Sequence, residues 1–291
     1  MPEAAAPENL AENGQQLSSR FDIWLCDIWG VIHNGVHAHQ KACQALANHR
    51  KNGGVVILIT NAPRPRAQVI EQLQGLNVPD ESYDDIVSSG DVTRALVRDH
   101  EGGKVFFLGP ERDFALKNGL PVEWSDIDEA DAVLCSGLYD DKNDTMERYA
   151  DMLSGMKQRD LPMICANPDL VVQFGSRLIP CAGAIAAEYT KIGGKVLMAG
   201  KPFKPIYDIS LSRASQIKVQ PIDNANVVAI GDGMNTDIKG ACDYGLDVMF
   251  ISGGIHDDEI KKDGSTQDIA NIARKAIDGV KIAGAMRNLE W

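Results

Sequence analysis

The chain has no apolar run long enough to cross a bilayer, no excess of basic residues and no C-x-x-C cysteine pair, and each absence removes a class of function. Runs such as residues 55–59 fall far short of the ~20 residues that a spanning helix needs. The opening MPEAAAPENLAENGQQ is acidic and lacks a basic segment leading into an apolar stretch, so no secretory signal is expected and the expected compartment is the cytoplasm. Lys and Arg number 29 against 41 Asp and Glu, a net charge of −12 that repels phosphate backbones and anionic lipid alike. Neither nucleic acid nor membrane is therefore an expected partner. A small anion can still bind where a metal ion and helix N-termini make a locally positive site. The six cysteines, three of which close apolar runs (WLC, AVLC, MIC), read as reduced and mostly buried rather than as a disulfide framework. Repeats, heptads and low-complexity tracts are absent beyond the first eight residues, which are expected to be disordered.

What is present is an alternation of short β-rich apolar runs with helical patterns, the mark of an α/β fold with a parallel sheet covered on both faces. Strands are expected at residues 21–27, 55–60 and 86–88, and again at 196–199, 227–230 and 248–252. Helices are expected at 39–51, 65–75, 91–100, 205–217 and 234–243. Between these blocks, residues 101–195 form another α/β run with strands at 104–108, 132–135 and 162–165. Gly102-Gly103 and Gly193-Gly194 border this segment and suit either hinges or ordinary turns. The length accommodates one large core plus a smaller inserted domain.

Ligands of parallel α/β sheets collect at the carboxyl ends of the strands. Asp27 ends the first expected strand, Thr60 and Asn61 the second, while Lys201 follows VLMAG and Asp232 and Asp237 follow VVAIG. Singly, each suits a turn or a cap. Together they match phosphoryl transfer through a covalent intermediate, with Asp27 as nucleophile and metal ligand, and Asp232 as a second ligand. Asp237 would act through water or as an orienting partner, Thr60 and Asn61 would donate to phosphoryl oxygens, and Lys201 would neutralise charge. Oxygen ligands of this kind suit Mg²⁺.

Order, spacing and flanking glycines resemble the haloacid-dehalogenase superfamily, in its class IIA branch of sugar-phosphate, para-nitrophenyl phosphate and pyridoxal phosphate phosphatases. The resemblance is carried by GVIHNG after Asp27, TNAPRPR, SSGDVT, the NPD at Asn167, PCAGAIAAEY, GKPFKPIY and GDGMNTDIKGA. It implies a Rossmannoid core made of residues 1–100 and 196–291, with residues 101–195 as an inserted C2-type α/β cap. It further implies catalytic roles for Asp27 and Lys201, and phosphate or substrate contacts from Thr60, Asn61, Ala62, Arg64, Asn167 and Asp169. Mg²⁺ would be held by Asp27, the main-chain carbonyl of Trp29, Asp232 and Asp237. The substrate would be a small phosphorylated metabolite; the oligomeric state stays open.

One position departs from the pattern. The family's phosphatases carry a second carboxylate two residues after the nucleophile, where this chain has Trp29. That group protonates the leaving oxygen and activates water, a contribution of ~10²–10⁴-fold. Trp29 would fill the space of the carboxylate and its waters, or stack on a flat substrate. His33 is a candidate substitute shuttle or a plain loop histidine, and a zinc site from His33, His37 and His39 is disfavoured for want of a fourth ligand. Arg64 would meet an anionic substrate or sit exposed at a helix start, Asp169 would contact substrate or cap a turn, and the acidic run at 139–144 is a solvated edge. Three functions compete: a Mg²⁺-dependent phosphohydrolase or phosphotransferase of modest turnover, a phosphometabolite-binding protein with impaired catalysis, and a dehalogenase-like hydrolase.

Overall fold

The computed structural model describes residues 10–140, 143–174, 177–253 and 264–291. The first eight residues, and residues 141–142 of the acidic run, lie outside the described residues. In chain order the strands are β1 (Ile23–Asp27), β2 (Val55–Thr60), β3 (Asp85–Ser88), β4 (Lys104–Leu108), β5 (Glu123–Trp124), β6 (Ala132–Cys135), β7 (Met163–Cys165), β8 (Val171–Phe174), β9 (Arg177–Pro180), β10 (Val196–Met198), β11 (Val227–Gly231), β12 (Asp247–Ile251) and β13 (Lys281–Met286). The chain divides into two compact units, one comprising Met1–Ile59, Glu71–Ile86 and Tyr207–Trp291, the other Thr60–Ile70 and Val87–Ile206. Residues 101–195 fall wholly within the second unit, which also takes in residues 60–70, 87–100 and 196–206.

The first unit is built around a six-stranded sheet of order β13-β12-β11-β1-β2-β3. β1, β2 and β11 are buried along their whole length. Continuous apolar sequence such as VVILIT is what a strand covered on both faces requires. β1 pairs parallel to both neighbours, Asp27 beside Ile59 and Cys26 beside Ile230. The expected helix at 234–243 opens as a π-helical turn, Met234–Ile238, before the α-helix Lys239–Tyr244. Such turns distort an otherwise regular helix and recur at functional sites.

The second unit holds a parallel five-stranded sheet of order β10-β7-β6-β4-β5 and the antiparallel hairpin β8-β9. Alternation along its strands gives each sheet face a core. Val133, Cys135, Met163 and Cys165 cluster with Leu153, Ile185 and Tyr189, whereas Leu134 and Ile164 cluster with Val97, Val105 and Leu116. Both glycine pairs lie inside this unit and make turns: Gly103 N–H donates to His100, and Gly194 N–H to Tyr189, ending the helix Ala182–Lys191. All six cysteines are free and five are buried. Among the described residues no helix is long and apolar enough to cross a membrane.

Candidate active site

In the first unit the strand order reverses between β1 and β11, where an open parallel sheet leaves a crevice beyond its carboxyl edge. Asp27 ends β1, Asp232 follows β11 and Asp237 lies in the π-helical turn. All three are buried, and each offers a carboxylate oxygen within 4.8 Å of the others. Among the described residues no other three His, Cys, Asp or Glu side chains converge in this way. The backbone holds the group in place: Gly233 N–H donates to Asp237 Oδ2 at 2.9 Å, and Asp237 N–H to the Gly233 carbonyl at 2.8 Å. Gly30, at φ +80°, lies so close to Asp232 that a Cβ there would be 2.0 Å from Oδ2. Three carboxylates sharing one buried space repel unless a cation or proton offsets them. Hard oxygen donors in this number fit a divalent ion of the Mg²⁺ or Ca²⁺ kind.

Trp29 is 44% exposed. Its ring meets that of His33 edge-on at 4.8 Å between centroids. On another side it abuts Gly35, whose φ of +87° and missing side chain leave room for it. His33 is fully buried, and its Nδ1 accepts from Gly35 N–H at 3.0 Å, which puts the ring proton on Nε2. Burial pushes its pKa down to about 4. Nδ1 is engaged, while among the described residues the buried Nε2 has no hydrogen-bond partner. His33 packs against the Trp29 ring from within the loop. His37 is exposed and His39 half-buried, and no histidine metal group forms among the described residues.

The second unit gathers another set. Asn61 Nδ2 donates to Asp169 Oδ1 at 2.9 Å and to the Lys201 carbonyl at 3.0 Å, while its Oδ1 accepts from Lys201 N–H at 2.7 Å. Both amide hydrogens are thus engaged, so the side chain is a joint between loops. Asn167 Oδ1 accepts from Asp169 N–H at 3.0 Å, an Asx turn that sets the direction of that loop. Thr60 Oγ1 accepts from Ala62 N–H at 3.2 Å. Lys201 is buried. Arg64 is half-buried, and among the described residues its guanidinium makes no hydrogen bond or ion pair.

SSGDVT proves to be the brace of the Thr60–Arg64 loop. Ser88 and Asp91 form a reciprocal capping box on the helix Ser89–Arg98. The Ser88 hydroxyl also donates to the Arg64 carbonyl at 2.6 Å, and Gly90 N–H to that of Ala62 at 3.2 Å. SSGDVT enters the sequence reading only through its resemblance, although Ser-x-x-Asp before an apolar helix is itself a capping signal.

Residues 24–118 match the family described as haloacid dehalogenase-like hydrolase, and residues 198–275 the family described as HAD-hydrolase-like. A crystal structure of a hydrolase of the haloacid dehalogenase-like family from Brucella suis 1330 is 47% identical over 85% of this chain and 94% of that one, with a TM-score of 0.79. This chain belongs to the haloacid dehalogenase-like hydrolases. Within that family it resembles ribonucleotide monophosphatase NagD of Escherichia coli K12, at 27% identity over 79% of this chain and 87% of the relative. It also shares its fold with glycerol phosphate phosphatase Rv1692 of Mycobacterium tuberculosis, solved in complex with calcium. That structure is 20% identical over 82% of this chain and 68% of the other, with a TM-score of 0.63. The protein is accordingly a phosphatase-like hydrolase with a Rossmannoid parallel sheet and a divalent-metal-type carboxylate cluster.

Proposed function

We propose that this hydrolase is a cytoplasmic, Mg²⁺-dependent phosphohydrolase or phosphotransferase acting on a small phosphorylated metabolite through Asp27. The observation that carries the reading is the convergence of the buried Asp27, Asp232 and Asp237 carboxylates. Asp27, Asp232 and the Trp29 carbonyl would hold Mg²⁺, with Asp237 acting through water or as an orienting group. When bound, the ion offsets phosphate charge beside Asp27. An Asp27 oxygen attacks phosphorus as the ester P–O bond breaks and the leaving oxygen departs with the electron pair. Water then attacks the phosphorus of the phospho-aspartate, which releases phosphate and restores the carboxylate.

Thr60, Asn61, Ala62 and Arg64 would contact the phosphoryl oxygens, and Lys201 would balance their charge. Asn167 and Asp169, within a cap of residues 101–195, would meet the rest of the substrate. The monophosphatase name of the Escherichia coli relative supports a phosphomonoester. Trp29 places no carboxylate beside the leaving group, which favours substrates whose leaving oxygen needs little protonation, such as acyl phosphates and phosphoanhydrides. The same residue favours a second reading, a phosphometabolite-binding protein with feeble turnover.

A phosphate-release screen over phosphorylated metabolites, with and without Mg²⁺ and with Asp27→Asn as the blank, separates the two. The enzyme reading expects Mg²⁺-dependent release that falls on the order of 10²-fold or more in Asp27→Asn. Wild-type rates equal to the blank across the panel, with metabolite binding intact, would establish the binding reading instead.

A further inference from the structure

Arg64 stands between Pro63 and Pro65 in the loop that follows β2. Proline rings on both sides restrict its backbone and leave it the one N–H donor of the three. The turn that opens the helix Ser89–Arg98 grips the same stretch and ties every second residue of it. Gly90 N–H donates to the Ala62 carbonyl at 3.2 Å, the Ser88 hydroxyl to the Arg64 carbonyl at 2.6 Å, and Arg66 N–H to Asp91 Oδ1 at 3.1 Å. Ser88 is fully buried, and its one hydrogen goes to Arg64, the nearer acceptor, rather than to Asp91 Oδ2 at 3.0 Å. Gly90 lies so close that a Cβ there would be 2.5 Å from the Arg64 carbonyl carbon and oxygen. The helix that carries this turn is itself rooted: Arg94 donates to the Leu116 carbonyl at 2.9 Å, and Leu96 and Val97 pack with Val105, Leu134 and Ile164. The Arg64 backbone is therefore fixed, whereas its half-buried guanidinium makes no hydrogen bond or ion pair among the described residues. A cation partly withdrawn from water, with no counter-charge from its own chain, suits an anion supplied from outside.

We propose that Ser88 is a positioning residue for phosphate recognition: by clamping the Arg64 carbonyl it aims the guanidinium at the phosphoryl group, and so sets substrate affinity without touching substrate. The proposal rests on the phosphohydrolase reading above, in which Arg64 contacts the phosphoryl oxygens. The strand that this loop continues runs beside β1, with Ile59 paired to Asp27. A guanidinium gains most from phosphate when its planar fork meets two oxygens in register, so a loosened backbone lowers affinity although the charge is still present. Removing the Ser88 hydroxyl leaves the Arg64 carbonyl without its donor and frees that peptide to turn.

The test is a double-mutant cycle on para-nitrophenyl phosphate with Mg²⁺ present. Arg64→Ala should raise KM about tenfold or more, and Ser88→Ala about fivefold with kcat changed less than about twofold. In the Arg64→Ala background, Ser88→Ala should change KM by less than about twofold, because the group it positions is gone. Ser88→Thr, which keeps both the hydroxyl and the helix cap, should recover most of the wild-type KM. Should Ser88→Ala fail to fold, Ser88→Gly removes the same donor at little cost to the cap and takes its place in the cycle. Wild-type KM in Arg64→Ala or in Ser88→Ala, equal losses in the two backgrounds, or Ser88→Thr as impaired as Ser88→Ala overturns the proposal. If wild-type protein releases no more phosphate than Asp27→Asn, it is the catalytic reading that has failed. The same cycle is then read from calorimetric binding of inorganic phosphate to the Mg²⁺-loaded proteins. A Ser88→Ala loss that vanishes without Arg64 upholds the positioning role there, and phosphate binding that is absent, or indifferent to Ser88, overturns it.

Discussion

Lowering the pH from 7.5 to 5 should strip stability from the first unit, and one measurable share of the loss runs through a residue remote from the carboxylate cluster. His49, on the helix Gln40–Lys51, is buried, with its ring stacked on Trp24 at 4.0 Å between centroids and 6° between planes. Nε2 donates to the Asp22 carbonyl at 3.2 Å, leaving Nδ1 to accept from the Ser18 hydroxyl at 2.8 Å. Burial pushes the pKa from 6.5 to about 4, with the Lys218 charge adding to it and the Asp22 carbonyl and the Asp22 and Asp84 carboxylates opposing it. In the unfolded chain the ring takes a proton below about 6.5, while the native ring does not until about 4. Its contribution is therefore intact above pH 6.5, is lost as pH falls towards 4, and changes no further below that. Over the roughly 1.5 pH units from 6.5 to 5, at about 1.36 kcal/mol each, the native state loses about 2 kcal/mol. Carboxylates of ordinary pKa stay mostly ionised there. Urea unfolding at pH 7.5, 6.5, 5.7 and 5 should show wild-type protein losing about 2 kcal/mol more than His49→Gln, whose constant packing defect cancels from the difference. Parallel curves for the two proteins would refute the reasoning.

Two further outcomes concern the site. Gly30→Ala must place a Cβ at φ +80° and about 2 Å from Asp232 Oδ2, so calorimetric Mg²⁺ affinity should fall at least about tenfold while circular dichroism stays that of folded protein. Unaltered affinity would mean that Asp232 is not a ligand. Trp29→Asp should exceed Trp29→Asn by at least about tenfold in turnover of an alkyl phosphate, since the two differ in the titrating group and hardly in size. Equal rates would place the proton transfer elsewhere.

Legibility from sequence followed burial. β2 and β6 have the expected bounds because each is a buried, almost wholly apolar run. β13 escaped notice: KIAGAM is rich in Ala and Gly, which have little strand preference, and only its place beside β12 makes it a strand. Asp27, Asp232 and Asp237 were readable because a strand end fixes where a carboxylate goes. The use of the Asn61 amide was not, since its partners lie 108 and 140 residues away. Nor could the burial of His33 or the exposure of Trp29 be read locally, because the loop between them turns on contacts to Gly35 and Ile28 that no periodicity announces.

The Asn61 joint also bears on how the second unit comes apart. One side chain closes hydrogen bonds to segments centred on Asp169 and Lys201, so losing the Asn61 amide withdraws a partner from both at once. Contacts that bridge such long stretches of chain carry loop-closure entropy that no single bond offsets. The three segments therefore meet at one side chain, and a change at Asn61 is felt by both of the other loops.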